Sequence, residues 1–141
     1  MSRRDDLHLP VKRALEKDGW TITHDPAVLY FRDLRMRADL GAERLLAGEK
    51  EGQQIVVEVK DFDGSSLAAE LQRMIGQLEL YQWALDEQAP ARGLFLAVNR
   101  TVYDERIQSA RSAFNAIVER KQIKLIIFDE VLEEVLQWIR P

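Results

Sequence analysis

The 141-residue chain has no cysteine, only four prolines and seven glycines, and no excess of positive charge. Each absence removes a class of function. Without cysteine there is no disulfide framework, no iron–sulfur cluster, no thiolate zinc site and no cysteine nucleophile. The longest uninterrupted apolar run, Leu94 to Val98, falls far short of the ~20 residues that a membrane-spanning helix needs. No apolar stretch follows the opening Met1-Ser2-Arg3-Arg4-Asp5-Asp6, so no signal peptide is expected and the cytoplasm is the expected address. The scattered Gly and Pro form no linker, and there is no repeat or low-complexity tract, so one domain over 1–141 is expected. The formal net charge is −4. A protein that grips nucleic acid mainly by neutralising phosphates usually carries a basic excess. Any such footprint here must be local.

What is present reads as alternating helices and strands. Asp5 or Asp6 can cap a first helix with Pro10 near its opening turn, and Gly19 suits its stop. Trp20–His24 alternates as a strand, closed by Asp25-Pro26. Val28–Phe31 and Leu34–Leu40 form two further arms, the second with Leu34, Met36, Ala38 and Leu40 on one face and Arg35, Arg37 and Asp39 on the other. In Ile55–Lys60 one face carries Ile55, Val57 and Val59, and the opposite face carries Val56, Glu58 and Lys60. Ser65 or Ser66 can cap a long helix with an apolar stripe from Leu67 to Leu85. Gly93–Val98 and Leu125–Phe128 read as strands buried on both faces, separated by a helix over Val102–Arg120. The segment from Val131 to Ile139 fits either a helix or a strand. With the two arms Val28–Phe31 and Leu34–Leu40 counted as one unit, the order is α-β-β-β-α-β-α-β plus a C-terminal tail, an α/β domain whose mixed sheet is flanked by helices.

The chemistry-bearing cluster is Asp39 with Glu58-Val59-Lys60. Alternation puts Glu58 and Lys60 on one face, ~7 Å apart along the strand. If the Asp39 strand pairs with this one, two carboxylates and an ammonium converge. A cation of the Mg²⁺ type takes a few hard oxygen ligands and keeps several waters. Asp39, Glu58 and the Val59 carbonyl can supply such ligands, and Lys60 can orient a water or face a phosphoryl oxygen. The competing reading is a structural Glu58–Lys60 ion pair on an open sheet face. Against it stands the cost of a carboxylate in a strand of Ile and Val. Gln77 and Tyr81, four residues apart on the long helix, share a face and can reach the same patch, although Tyr81 also fits the apolar stripe. His8 contributes only if the first helix packs across the patch. Arg35 and Arg37 share the face of Asp39 and can neutralise phosphates, or else pair with carboxylates across the strands. Trp20 and Trp83 read as core residues, and Trp138 as part of a subunit or partner contact.

These residues carry a family resemblance. Asp39, Glu58-Val59-Lys60 and Gln77-x-x-x-Tyr81 in this order of elements resemble the restriction-endonuclease-like PD-(D/E)xK nuclease superfamily. The run Leu-Glu-Lys-Asp-Gly-Trp-Thr-Ile-Thr-His-Asp-Pro from Leu15 to Pro26 is similar to the XisH family, the fdxN element excision controlling factors of cyanobacteria. So are Asp39-Leu40-Gly41-Ala42-Glu43, Val57–Lys60 and Gln137-Trp138-Ile139. The resemblance implies an accessory protein that works beside a partner, XisI, while a separate recombinase excises a DNA element. It implies Asp39 and Glu58 as ligands of Mg²⁺ or Mn²⁺, Lys60 as the catalytic lysine, and Gln77 and Tyr81 as the helix motif. Ala38 stands where the superfamily has Pro. For the first-helix acid of the resolvase-like branch, His8 and Glu16 are the candidates. The expectation is an endonuclease-like factor acting on DNA, as a homodimer or with an XisI-like partner and without a membrane. The alternatives are a non-catalytic regulatory protein on a nuclease-derived fold, or the nuclease half of a two-gene toxin–antitoxin-like pair.

Overall fold

Leu7, Val11, Ala14 and Leu15, apolar at helical spacing, are the buried stripe of α1 (Arg3–Lys17) in the computed structural model, which describes residues 3–45, 47 and 52–140. The helix begins ahead of Asp5 and Asp6, so Pro10 lies inside it rather than in its opening turn. Gly19 ends it at φ +91°, a left-handed conformation that glycine adopts without a Cβ penalty.

Four strands follow: β1 (Thr21–His24), β2 (Ala27–Phe31), β3 (Leu34–Ala38) and β4 (Leu40–Arg44). The expected single strand from Leu34 to Leu40 is therefore broken at Asp39. β3 pairs with β2 in a separate two-stranded sheet, whereas β4 joins the main sheet between β1 and β5 (Gln53–Val59). The break also changes sides. Ala38 packs in the core layer beneath the long helix, and Leu40 packs in the layer beneath α1. Alternation of residue type runs unbroken through this corner, which is why periodicity does not reveal it.

Ser66 caps the long helix α2 (Leu67–Gln88), its hydroxyl accepting from the Ala69 amide at 3.2 Å. β6 (Arg92–Asn99) and β7 (Lys124–Asp129) then pair parallel in the order β5-β6-β7, as expected for βαβ crossovers. The expected helix over Val102–Arg120 is instead three pieces: a single turn α3 (Arg100–Val102), a π-helical segment over Tyr103–Ile107, and α4 (Ala113–Lys121). Polar side chains make the interruption. The Ser112 hydroxyl caps α4 through the Asn115 amide at 2.9 Å, and the Asn115 side-chain amide donates back to the Ile107 carbonyl at 2.9 Å. The ambiguous tail is a strand, β8 (Glu134–Ile139), antiparallel to β7 at the sheet edge.

The mixed six-stranded sheet, ordered β1-β4-β5-β6-β7-β8, thus lies between α1 on one face and α2 on the other. This is an α/β fold. Among the described residues no helix is long and apolar enough to cross a membrane.

A polar latch ties α1 to the end of β1. Lys12 Nζ donates to Asp25 Oδ2 at 2.8 Å, and His8 Nε2 lies 2.7 Å from Asp25 Oδ1. The hydrogen bond from Lys12 holds the Asp25 carboxyl below its ordinary value of 3.8, against the opposing effect of partial burial. A lowered carboxyl pKa stabilises the fold above the unfolded-state value, and that stabilisation is lost as pH falls through the folded-state value. Asp25→Asn is therefore expected to cost less than about 1 kcal/mol at pH 7 for this solvent-accessible pair. The gap between wild type and variant in urea titrations should close as the pH drops below 3.8.

Candidate active site

The β4–β5 register pairs Leu40 with Val57 and Gly41 with Val56. One step further along this ladder brings Asp39 level with Glu58. The structure closes that step with a side chain, since the Val59 amide donates to Asp39 Oδ2 at 2.7 Å. The corner residue that breaks the long strand is thereby pinned to the strand that carries Glu58 and Lys60. The Asp39 side chain is thus bonded to the backbone of β5 one residue after Glu58.

Glu58 alternates with Val57 and Val59, and so points to the α2 face, where Val56 packs with Met74, Leu78 and Tyr81. It is 0% exposed. Its Oε2 lies 3.6 Å from Lys60 Nζ, whose side chain is 19% exposed. That separation exceeds the ~2.7–2.9 Å of a tight charge-assisted hydrogen bond, so the ammonium stands beside the carboxylate rather than clamped on it. The Lys60 amide donates to the Ala97 carbonyl at 3.1 Å and fixes the backbone beneath. Immediately beyond Lys60, a cleft of about 240 Å³ is lined by Asp61, Phe62, Asp63, Asn99 and Glu130.

Tyr81 belongs to the apolar stripe, and its hydroxyl bonds a backbone carbonyl of β3. The ring is buried in the core, and the hydroxyl donates to the Arg37 carbonyl at 2.8 Å, two residues before Asp39. Tyr81 therefore positions the corner through the backbone. Gln77 lies one turn earlier on the same helix face, half-buried, with its Oε1 shielded from solvent and without a hydrogen-bond partner among the described residues. Tyr81→Phe is expected to leave that carbonyl without its donor and to cost about 1–2 kcal/mol in a denaturant melt. Function should suffer beyond what this stability loss explains, because the displaced group is the Asp39 corner.

The remaining candidates lie elsewhere. His8 sits on α1, which covers the sheet face opposite to α2, and is bound to Asp25. Glu16 is exposed near the C-terminal end of α1. Neither is brought to Glu58. Arg35 and Arg37 are exposed on β3, and among the described residues no carboxylate pairs with either. Trp20 is buried as expected, but Trp83 is 44% exposed, its ring 5.7 Å from that of Phe31. Trp138, expected at a partner contact, packs within the chain against Trp20 and Phe95, and its indole N–H donates to Asp18 at 3.1 Å. The two-residue turn at Arg32-Asp33 sets Tyr30 of β2 opposite Arg35 of β3.

The donor set suits a hard cation of the Mg²⁺ type, which needs only one or two protein carboxylates beside its waters. A buried Glu58 next to the anchored Asp39 provides them. Among the described residues there is no group of three or more Asp, Glu or His that could hold a metal.

The family model described as XisH protein matches residues 1–136. The chain belongs to the XisH family. A solved XisH family protein from Nostoc punctiforme PCC 73102 is 37% identical over 96% of this chain and 100% of its own, with a TM-score of 0.85. A solved fdxN element excision controlling factor protein from Anabaena variabilis is 36% identical over 97% of this chain and 100% of its own, with a TM-score of 0.84. No curated protein sequence matches at a significant level.

Proposed function

We propose that this XisH family member is an endonuclease-like accessory factor in the site-specific excision of a DNA element, with a divalent-cation site at Asp39 and Glu58. The observation that supports this reading is a buried Glu58 with Lys60 Nζ 3.6 Å away, while the Asp39 carboxylate accepts from the amide of Val59 between them in sequence. The same arrangement motivates the assignment to the PD-(D/E)xK nuclease superfamily. Asp39 and Glu58, with the Val59 carbonyl, would hold Mg²⁺ or Mn²⁺. Such a cation supplies positive charge against a phosphoryl oxygen and activates water for attack on the phosphodiester. Lys60 donates hydrogen bonds to a non-bridging phosphate oxygen and stabilises the charge that develops there. Tyr81 keeps the Asp39 corner in place, and the Gln77 side chain can receive a hydrogen bond from a group entering between α2 and the sheet. The proposed setting is cytoplasmic, with DNA as substrate, as a homodimer or beside an XisI-like partner protein.

A supercoiled plasmid incubated with the protein and Mn²⁺ or Mg²⁺ tests this reading. Nicking that requires the metal and vanishes in Glu58→Ala is expected. Cleavage that survives this substitution refutes the site assignment. A second reading, a regulatory protein that keeps the fold without catalysis, is favoured by the net charge of −4. Tight Mn²⁺ binding, lost in Asp39→Asn, without any nicking under these conditions is its signature.

A further inference from the structure

The β2–β3 hairpin stands apart from the main sheet, and its two faces differ sharply in chemistry. The pairs Ala27–Ala38, Leu29–Met36 and Phe31–Leu34 form one face, which lies on α2. The pairs Val28–Arg37 and Tyr30–Arg35 form the other. Tyr30 is 44% exposed, both arginines are exposed, and none of the four paired residues of this face is acidic. The hairpin's third arginine, Arg32, is different: it pairs with Glu87 on α2 at 3.4 Å. In a chain of net charge −4, two arginines with no carboxylate partner among the described residues, flanking an exposed phenol ring, form a local cationic and aromatic surface. It is also continuous with the site. Arg37 and Arg35 precede Asp39 by two and four residues, roughly 7 and 13 Å along an extended strand, and Tyr81 holds the Arg37 backbone to the α2 side.

We infer that this outer face binds an unpaired DNA strand leading to the Asp39–Glu58 site, with Tyr30 stacking a base and Arg35 and Arg37 contacting successive phosphates. Two arginines neutralise too few phosphates to hold a duplex by charge. An aromatic ring gains from a base only when that base is unstacked, and this stacking is tolerant of sequence. Both features favour a single-stranded segment over closed B-DNA. The inference deepens the nuclease reading by naming its substrate class, and it rests on that reading for the direction of the strand.

Fluorescence anisotropy of the full chain with a labelled single-stranded oligodeoxynucleotide and its duplex, in EDTA so that no cleavage occurs, provides the test. The single strand is expected to bind more tightly than the duplex. Tyr30→Ala should weaken single-strand binding by about ten-fold or more, and Tyr30→Phe should retain it. Replacing Arg35 and Arg37 together by Ala should lower the salt slope of binding by about 1.4, for two contacts on a single strand. All three positions are on the surface, and unchanged thermal melts verify the fold. Equal affinity for duplex and single strand, or an unaltered affinity in Tyr30→Ala, overturns the inference. So does a self-association that Tyr30→Ala abolishes while DNA affinity stays the same, which marks the face as a contact between copies. Because binding is read without metal, its loss leaves the nicking result standing, and absent nicking leaves this binding face standing.

Discussion

Glu58→Gln is expected to lower metal-dependent nicking by at least about 100-fold while leaving the metal-free protein as stable as wild type, or about 1 kcal/mol more stable. The two effects have one cause. Glu58 has no exposed surface and lies in a strand of valines. Holding a carboxylate there opposes folding even with an ammonium 3.6 Å away, because the desolvation of a buried pair rivals its attraction. The amide has the same shape and a much smaller desolvation cost, but it is a poor ligand for a hard cation. Losing a few kcal/mol of charge stabilisation in the transition state is a loss of several powers of ten in rate. Sites kept for function commonly reduce stability in this way. Plasmid nicking with Mn²⁺ and thermal melts in EDTA, run on the same preparations, read both effects. A clear fall in melting temperature with nicking intact would mark Glu58 as a structural partner of Lys60 and nothing more.

The largest stability effect is expected at Phe114. The side chain is 1% exposed at the start of α4, and its ring meets that of Phe62 edge-to-face at 4.7 Å. Phe62 is itself buried, in a left-handed backbone conformation at φ 54°, two residues beyond Lys60. Phe114→Ala leaves a large cavity and removes the aromatic pair, and is expected to cost about 3–5 kcal/mol. For a chain of this size that is a drop in melting temperature of roughly 10 °C or more. The consequence reaches the site, because the contact that seats the segment after Lys60 is gone. Hydrogen exchange of residues 60–64 should accelerate more than that of β7. A substitution confined to one surface pair, such as Asp25→Asn, should show no such pattern.

How far the sequence carries can be judged residue by residue. The expectation that Asp39 lies near Glu58 rests on alternation plus the assumption that neighbouring strands pair, and β4 does pair with β5, with Leu40 opposite Val57. Ser66 as the cap of α2 and Gly19 as the stop of α1 follow from local chemistry that needs no tertiary context. The corner at Asp39 does not follow. Ala38 and Leu40 are both apolar and both buried, and only the three-dimensional structure reveals that they enter different core layers. The break at Ser112 was hidden for a related reason, because the apolar spacing of Ile107, Phe114 and Val118 continues across it while the capping hydroxyl starts a new helix. His8 was attractive as a lone polar group near a helix start. Its place is decided by Asp25, seventeen residues away, on a sheet face that pattern alone does not assign. Trp83 illustrates the limit of residue type: an aromatic ring can cover Phe31 and still present 44% of its surface to solvent.

Diffraction from crystals soaked in Mn²⁺, with anomalous differences recorded for wild type and for Asp39→Asn, tests most directly whether the corner and its neighbouring strand form a cation site. The account predicts one strong peak in contact with the carboxylates of both Asp39 and Glu58 in the wild type, and its disappearance in the variant. Full Mn²⁺ saturation with no density between those two side chains, or a peak held elsewhere and indifferent to Asp39, would contradict it.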